Sequence, residues 1–208
     1  MNWKTLAGVI FGVIAALWVL GKIKSDASSA PAASSPLAQS SDKWQVTEKR
    51  SPMDDSKTIA LSLNADNDIH GPLGDKRPTL IIRCQEKKTK VYVVTGMAAS
   101  VEEGYDGGPS HEHRVGLRFD SNTARYEFWN ESTADDALFA DSEAYGMRTK
   151  IEYAAGPLVL LARELAKAKT LTFQFTPFNG SPQVATFDLR GIETHIGRLA
   201  EACGWTMD

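Results

Sequence analysis

Only two cysteines occur in the 208 residues, Cys84 and Cys203. The chain can therefore hold at most one disulfide of its own. No G-x-S-x-G elbow, Walker loop or dinucleotide fingerprint is present. The usual sequence marks of a serine hydrolase, a phosphate-binding loop or a nicotinamide enzyme are thus missing. Positive charge is also in short supply. Beyond residue 41 there are 20 basic and 25 acidic residues, with no basic stripe. Nucleic acid is not an expected partner on that balance. There is no internal repeat, and the lone Gly107–Gly108 pair is a turn signal.

One long apolar run exists, and it lies at the start. Thr5 to Gly21 carries no charge, which meets the lower end of the roughly 17–25 residues a spanning helix needs. Trp3 and Trp18 stand near its ends, where interfacial aromatics belong. A cleaved signal peptide is the rival reading, since Lys4 gives a basic n-region. The best small-residue cleavage site, Ala27 to Ala30, is followed by Pro31, which suits cleavage poorly. The expectation is an uncleaved anchor over residues 1–24, in the inner membrane through residues 5–21. The alternative is a chain released to the periplasm after signal cleavage. Lys4 precedes the run while Lys22 and Lys24 follow it, so flanking charge does not set the orientation.

Ser25 to Ser41 follows, and Ser, Ala and Pro fill 14 of its 17 positions. Such a tract buries too little apolar surface to offset its ordering entropy. As a flexible leash it would span about 23 Å root-mean-square. Residues 42–208 then read as one globular domain by length.

Strand signals dominate that domain. Short β-branched or alternating segments are Trp44–Glu48, Thr58–Leu63, Thr79–Cys84 and Lys90–Thr95. Arg114–Phe119, Ala124–Trp129, Thr170–Thr176 and Val184–Leu189 continue the series. Two helices interrupt it. Pro157 suits a first turn, with Leu158, Leu161 and Leu165 at helical spacing behind it. A last helix is expected from Ile192 to Cys203, because Ile192, Ile196, Leu199, Ala200 and Cys203 share one face and Gly204 stops it. The fold class is therefore mainly β (α+β): an antiparallel β-sandwich or strongly bent sheet with two helices in the C-terminal half.

Cys84 ends an apolar strand and Cys203 lies on the inward face of the last helix. They are either two separate buried thiols or one disulfide. An even count behind an anchor favours the disulfide, and that choice places the domain outside the cytoplasm.

Several phrases together carry a resemblance. They are SPMDDSKTIALSLNAD (Ser51–Asp66), RPTLIIRC (Arg77–Cys84), LRFD (Leu117–Asp120), WNEST (Trp129–Thr133) and ALF (Ala137–Phe139). LAKAKTLTFQFTPFN (Leu165–Asn179) and FDLRGIETHIGRLAEACGW (Phe187–Trp205) complete the set. The chain resembles the VasI/TagO family of type VI secretion-associated proteins. The resemblance implies an envelope accessory protein of Gram-negative bacteria and no defined biochemical activity. Glu103–His113 and Glu143–Ala155 lie outside what it accounts for.

Candidate chemistry is sparse. His111 and His113 form an H-x-H in which both imidazoles would face one way on a strand. No third ligand has diagnostic spacing, so the pair reads as a solvated turn, and neither metal nor cofactor is expected. Asn64, Asp66 and Asp68 resemble the start of a calcium loop, but Ile69 and Asp75 occupy its glycine and glutamate positions. They read as a polar turn. Asp54–Asp55 and Asp135–Asp136 are adjacent carboxylates that cannot flank one bond as acid/base hydrolysis requires. Asp54 and Asp55 remain binding candidates because they lie in a family-like phrase. Arg83, Arg118, Asp120, Trp129 and Ser132 stand in the other phrases. Arg83 and Arg118 would either join salt bridges or fork an anionic ligand. Trp44, Trp129 and Trp205 would be core residues or a sugar platform.

The function expected is a non-enzymatic envelope accessory protein, associated with type VI secretion and acting through contacts with envelope or secretion-system proteins. The alternatives are a peptidoglycan- or glycan-binding module, with or without hydrolysis, and a prophage envelope factor of the same fold.

Overall fold

Alternating side chains along short segments build a nine-stranded antiparallel sheet in the computed structural model. The structure describes residues 43–72, 74–100, 112–140 and 157–208. All fall within one compact unit, Gln39–Asp208. The expected membrane anchor and leash lie outside the described residues. Among the described residues, no helix is long and apolar enough to cross a membrane.

The strands are β1 (Gln45–Arg50), β2 (Lys57–Asn64), β3 (Ile69–Gly71), β4 (Gly74–Lys76), β5 (Thr79–Gln85) and β6 (Lys88–Val94). They continue with β7 (Glu112–Phe119), β8 (Arg125–Glu131) and β9 (Ala137–Ala140). Helix α1 (Pro157–Lys167) precedes β10 (Thr170–Phe175) and β11 (Gln183–Asp188). A 3-10 turn (Ile192–Thr194) leads into α2 (Ile196–Cys203). The large sheet runs β1-β2-β5-β6-β9-β8-β7-β10-β11, and β3-β4 form a separate hairpin.

The two ends of this single sheet meet. Beyond β2, the Asp66 N–H donates to the Thr186 carbonyl at 2.7 Å. Asn67 brackets β11, donating to the Val184 carbonyl and accepting from the Thr186 N–H. The Trp44 indole N–H donates to the Leu189 carbonyl at 3.2 Å. The two ends of the strand order are thereby tied together, and much of the outer edge of β11 is satisfied rather than left open to aggregation.

Period-two burial fills the inside. Ile59, Leu61 and Leu63 of β2, Leu80 and Ile82 of β5, and Leu171, Phe173 and Phe175 of β10 are all buried. Leu161 and Leu165 of α1 meet Leu80, Val91, Leu117, Phe119, Trp129 and Leu171 in mid-core. Each fully buried aliphatic or aromatic side chain contributes about 1.5–3 kcal/mol relative to exposure.

A buried carboxylate binds α1 to the sheet. Glu127 is 6% exposed. It accepts from the Arg125 Nε at 2.7 Å and from the Trp129 indole N–H at 3.0 Å. Arg125 also forks Glu164 of α1 through two bonds of 2.6 Å. The charge is thus fully partnered, as burial requires.

The Cys84–Cys203 disulfide is present, with Cα atoms 5.6 Å apart, and fastens α2 to β5. The last helix is shorter than its periodicity predicts. Gly191 adopts φ 97, the Glu193 carboxylate accepts its N–H, and the Thr194 hydroxyl donates to its carbonyl. These local bonds compete with helix initiation, so a 3-10 turn replaces the first helical turn. Ile192 and Ile196 are buried nonetheless.

Candidate functional site on the outer face of the sheet

The polar residues singled out in the sequence are dispersed, and most of them close turns. Asp54 accepts from the Ser56 N–H and hydroxyl within the β1–β2 turn. Asp55 beside it adopts φ 55. The Ser132 hydroxyl donates to Asp136 and accepts the Asp136 and Ala137 N–H groups at the entry to β9. Asp120, at φ 50, accepts the Lys169 and Thr170 N–H groups, both at 2.9 Å, and so ties the β7–β8 turn to the start of β10. Arg118 donates through Nε to the Asn122 carbonyl in the same turn.

Several of these carboxyls sit below the usual carboxylate range. For Asp120 the cause is chiefly the Thr170 N–H, and for Asp54 the Ser51 and then the Ser56 hydroxyl. For Asp188 it is the Arg190 guanidinium, with Lys43 adding to it. A depressed carboxyl contributes stability that is present above its unfolded value, near 4, and is lost as pH falls through the folded value. The melting temperature should therefore drop as pH falls below about 4. Asp120→Asn should melt lower than the parent at pH 7 and converge on it as pH falls through the folded value of Asp120. A gap that stayed constant with pH would contradict the assignment.

The calcium-like triplet is engaged elsewhere. Asp66 pairs with Lys43, and Asp68 with Arg77. Asn64 accepts from the Thr79 hydroxyl. The solvated-turn reading of His113 is wrong. It lies in β7, 3% exposed, with Nδ1 2.7 Å from the Ser100 carbonyl and Nε2 3.3 Å from Glu131. Strand β7 begins earlier than its apolar residues indicate and carries His113 inward. His111 lies outside the described residues. Among the described residues, no cluster of three or more His, Cys, Asp or Glu side chains is placed to hold a metal ion.

Trp129 is 1% exposed and Trp44 5%. Trp205 is half-buried, its indole N–H donating to the Thr89 hydroxyl. The two most buried indoles have no face free for a sugar.

Of the residues singled out in the sequence, Arg83 alone projects from the middle of the outer sheet face into an aromatic cluster. Its guanidinium carbon stands 5.5 Å from the centre of the Tyr92 ring. Tyr92 stacks on Phe139 at 4.4 Å and 16°. Lys90 Nζ lies 6.0 Å from the Phe139 ring centre. The register explains the grouping, because Arg83 opposes Lys90, Ile81 opposes Tyr92, and Tyr92 opposes Phe139. A second pair lies two strands on. Arg114 of β7 covers Tyr126 of β8 at 3.8 Å, and Tyr126 opposes Gly116. A side chain at Gly116 would meet both Tyr126 and Gln174 at 3.2 Å, so glycine lets these two lie across the strand. Each cation–aromatic contact is worth about 0.5–1 kcal/mol when exposed. Sequence reading missed Lys90, Tyr92, Arg114, Tyr126 and Phe139 as a group. Lys90, Tyr92, Arg114 and Tyr126 share one signal, alternation, since each occupies the position opposite the buried residues of its strand; Phe139, in the four-residue β9, carries no such signal.

The geometry defines a disulfide-braced, mainly β domain that displays a basic and aromatic sheet face. The family described as "Type VI secretion system VasI, EvfG, VC_A0118" matches residues 22–205. The chain belongs to this VasI family of type VI secretion. No curated protein and no solved structure is significantly similar to it.

Proposed function

We propose that the chain is a cell-envelope accessory protein of type VI secretion that acts through protein–protein contacts. Residues 5–21 hold it at the inner membrane, and residues 42–208 work in the periplasm. Family membership across residues 22–205 is the observation that carries this reading. The disulfide supports the periplasmic placement, since such bonds persist in oxidising compartments. The apolar run at the amino terminus supports the membrane attachment. The Arg and Tyr content of the outer sheet face is that of protein interfaces. Crosslinking of the tagged full-length chain in cells is expected to capture type VI membrane or baseplate proteins. Capture of cell-wall material or wall enzymes alone would contradict the proposal.

A further inference from the structure

We infer that the outer face across β5, β6, β9, β8 and β7 docks a short acidic polypeptide segment of a partner protein. This rests on the protein-contact reading above and names the chemistry of the partner. Residues 42–208 are acidic on balance, with 20 basic and 25 acidic residues. This face reverses that balance. Arg83, Lys88, Lys90, Arg114 and Arg118 occupy its outward positions on β5, β6 and β7. On the same five strands the one outward carboxylate is Glu112. Charge of one sign is thus gathered on one face of a domain that carries the opposite net charge.

Arg83 provides an independent observation. Its Nε is buried and has no hydrogen-bond acceptor among the described residues. A buried donor left unmade costs about 1–3 kcal/mol. A turn of the side chain that uncovers Nε would let a docked carboxylate satisfy it and add a charge-assisted bond. A guanidinium stacked on a ring keeps that edge available, because stacking uses its plane and forking uses its rim.

Size and charge select the occupant. The four spacings between five strands, at ~4.8 Å each, span about 19 Å, and four to five residues along a strand span about 15 Å. The face therefore offers roughly 300 Å², against about 800 Å² per partner in a standard interface. That suits a loop or peptide rather than a whole globular surface. A second copy would bring the same positive face against itself. An anionic membrane or a long polyanion would also meet the acidic remainder of the domain. A short segment feels chiefly the local charges, since screening acts over about 8 Å at physiological salt. Sugar stacking is disfavoured because Tyr92 and Tyr126 already carry guanidinium groups.

The test uses the full-length chain in detergent and a labelled poly-L-glutamate peptide, followed by fluorescence anisotropy. Saturable binding is expected at low salt, weakening as salt rises. The double variant K90E/R114E should bind about tenfold more weakly, and Lys167→Glu on α1 should bind as the parent does. All these side chains are exposed, so thermal melts should confirm folding. K88E/R118E supplies a second pair, and it should also weaken binding. Absence of saturable binding would overturn the inference. So would binding unchanged by both double variants, or weakened equally by Lys167→Glu. A single-stranded DNA probe that bound more tightly and was lost with the same variants would overturn it in favour of nucleic acid. Capture of type VI proteins in cells, without peptide binding in vitro, would leave the protein-contact reading standing and remove this inference alone.

Discussion

Replacing Cys203 by serine should lower stability by about 4 kcal/mol, the upper end of the typical contribution of a disulfide, as suits one that closes a long loop. The bond joins residues 119 apart and thus constrains most of the unfolded domain. For a domain of this size, each kcal/mol moves the melting temperature by about 2–4 °C, so a fall of about 8–16 °C is expected. Reductant should produce a similar fall in the parent and expose two thiols. The serine variant should show one thiol and no response to reductant. The loss should concentrate on α2, whose other attachments are Ile196, Leu199 and Ala200 in the core and the Arg198–Glu48 ion pair. Equal melting of the parent with and without reductant would contradict the expected contribution.

Trp129→Ala should cost about 4 kcal/mol as a large-to-small change in the core. Its ring lies 5.4 Å from Phe173, and its indole N–H serves the buried Glu127. Removing that donor leaves one carboxylate oxygen short of a bond, a further cost of about 1–3 kcal/mol. Trp129→Phe separates the two effects, because it keeps most of the volume and loses the donor. Urea denaturation should place Trp129→Phe between the parent and Trp129→Ala. Parent-like stability with lost partner capture would instead make Trp129 a contact residue, the role its family-like phrase suggests.

Most of the strands are legible in the sequence because one-sided burial imposes period two. Thr79–Gln85 and Thr170–Phe175 begin at the residues the pattern indicates. Three strands escape the pattern. β9 is four residues long, with both Ala137 and Leu138 buried, so it shows no alternation. β3 and β4 have three residues each and pair only with one another in the sheet ladders. The start of β6 is misplaced because its hairpin turn is Glu86–Lys87, both at positive φ. That turn lacks the Asn-Gly or Asp-Gly signal on which hairpin reading depends.

The candidate site was less legible. Asp54, Asp120 and Ser132 stand out because turns demand polar side chains that bond to the backbone, and the structure gives them that work. The exposed face shows no such mark in sequence. Lys90 and Arg114 look like ordinary solvated charges, and Tyr92 and Phe139 like ordinary strand residues. Their relation comes from the register across β6, β9 and β8, which is non-local. His113 illustrates the same limit, since its burial depends on Glu131 and Ser100, one on the neighbouring strand and one 13 residues earlier.

Protein contact through the basic sheet face is the proposed route by which this domain serves type VI secretion. Its most direct test is site-resolved crosslinking in cells. A photo-crosslinking residue is placed at Lys90 on the outer face, or at the exposed Glu201 on α2, in the full-length chain. Adducts to secretion-system membrane or baseplate proteins from position 90, and not from position 201, are the expected result. Adducts to cell-wall components alone, or equal adducts from both positions, would contradict the account.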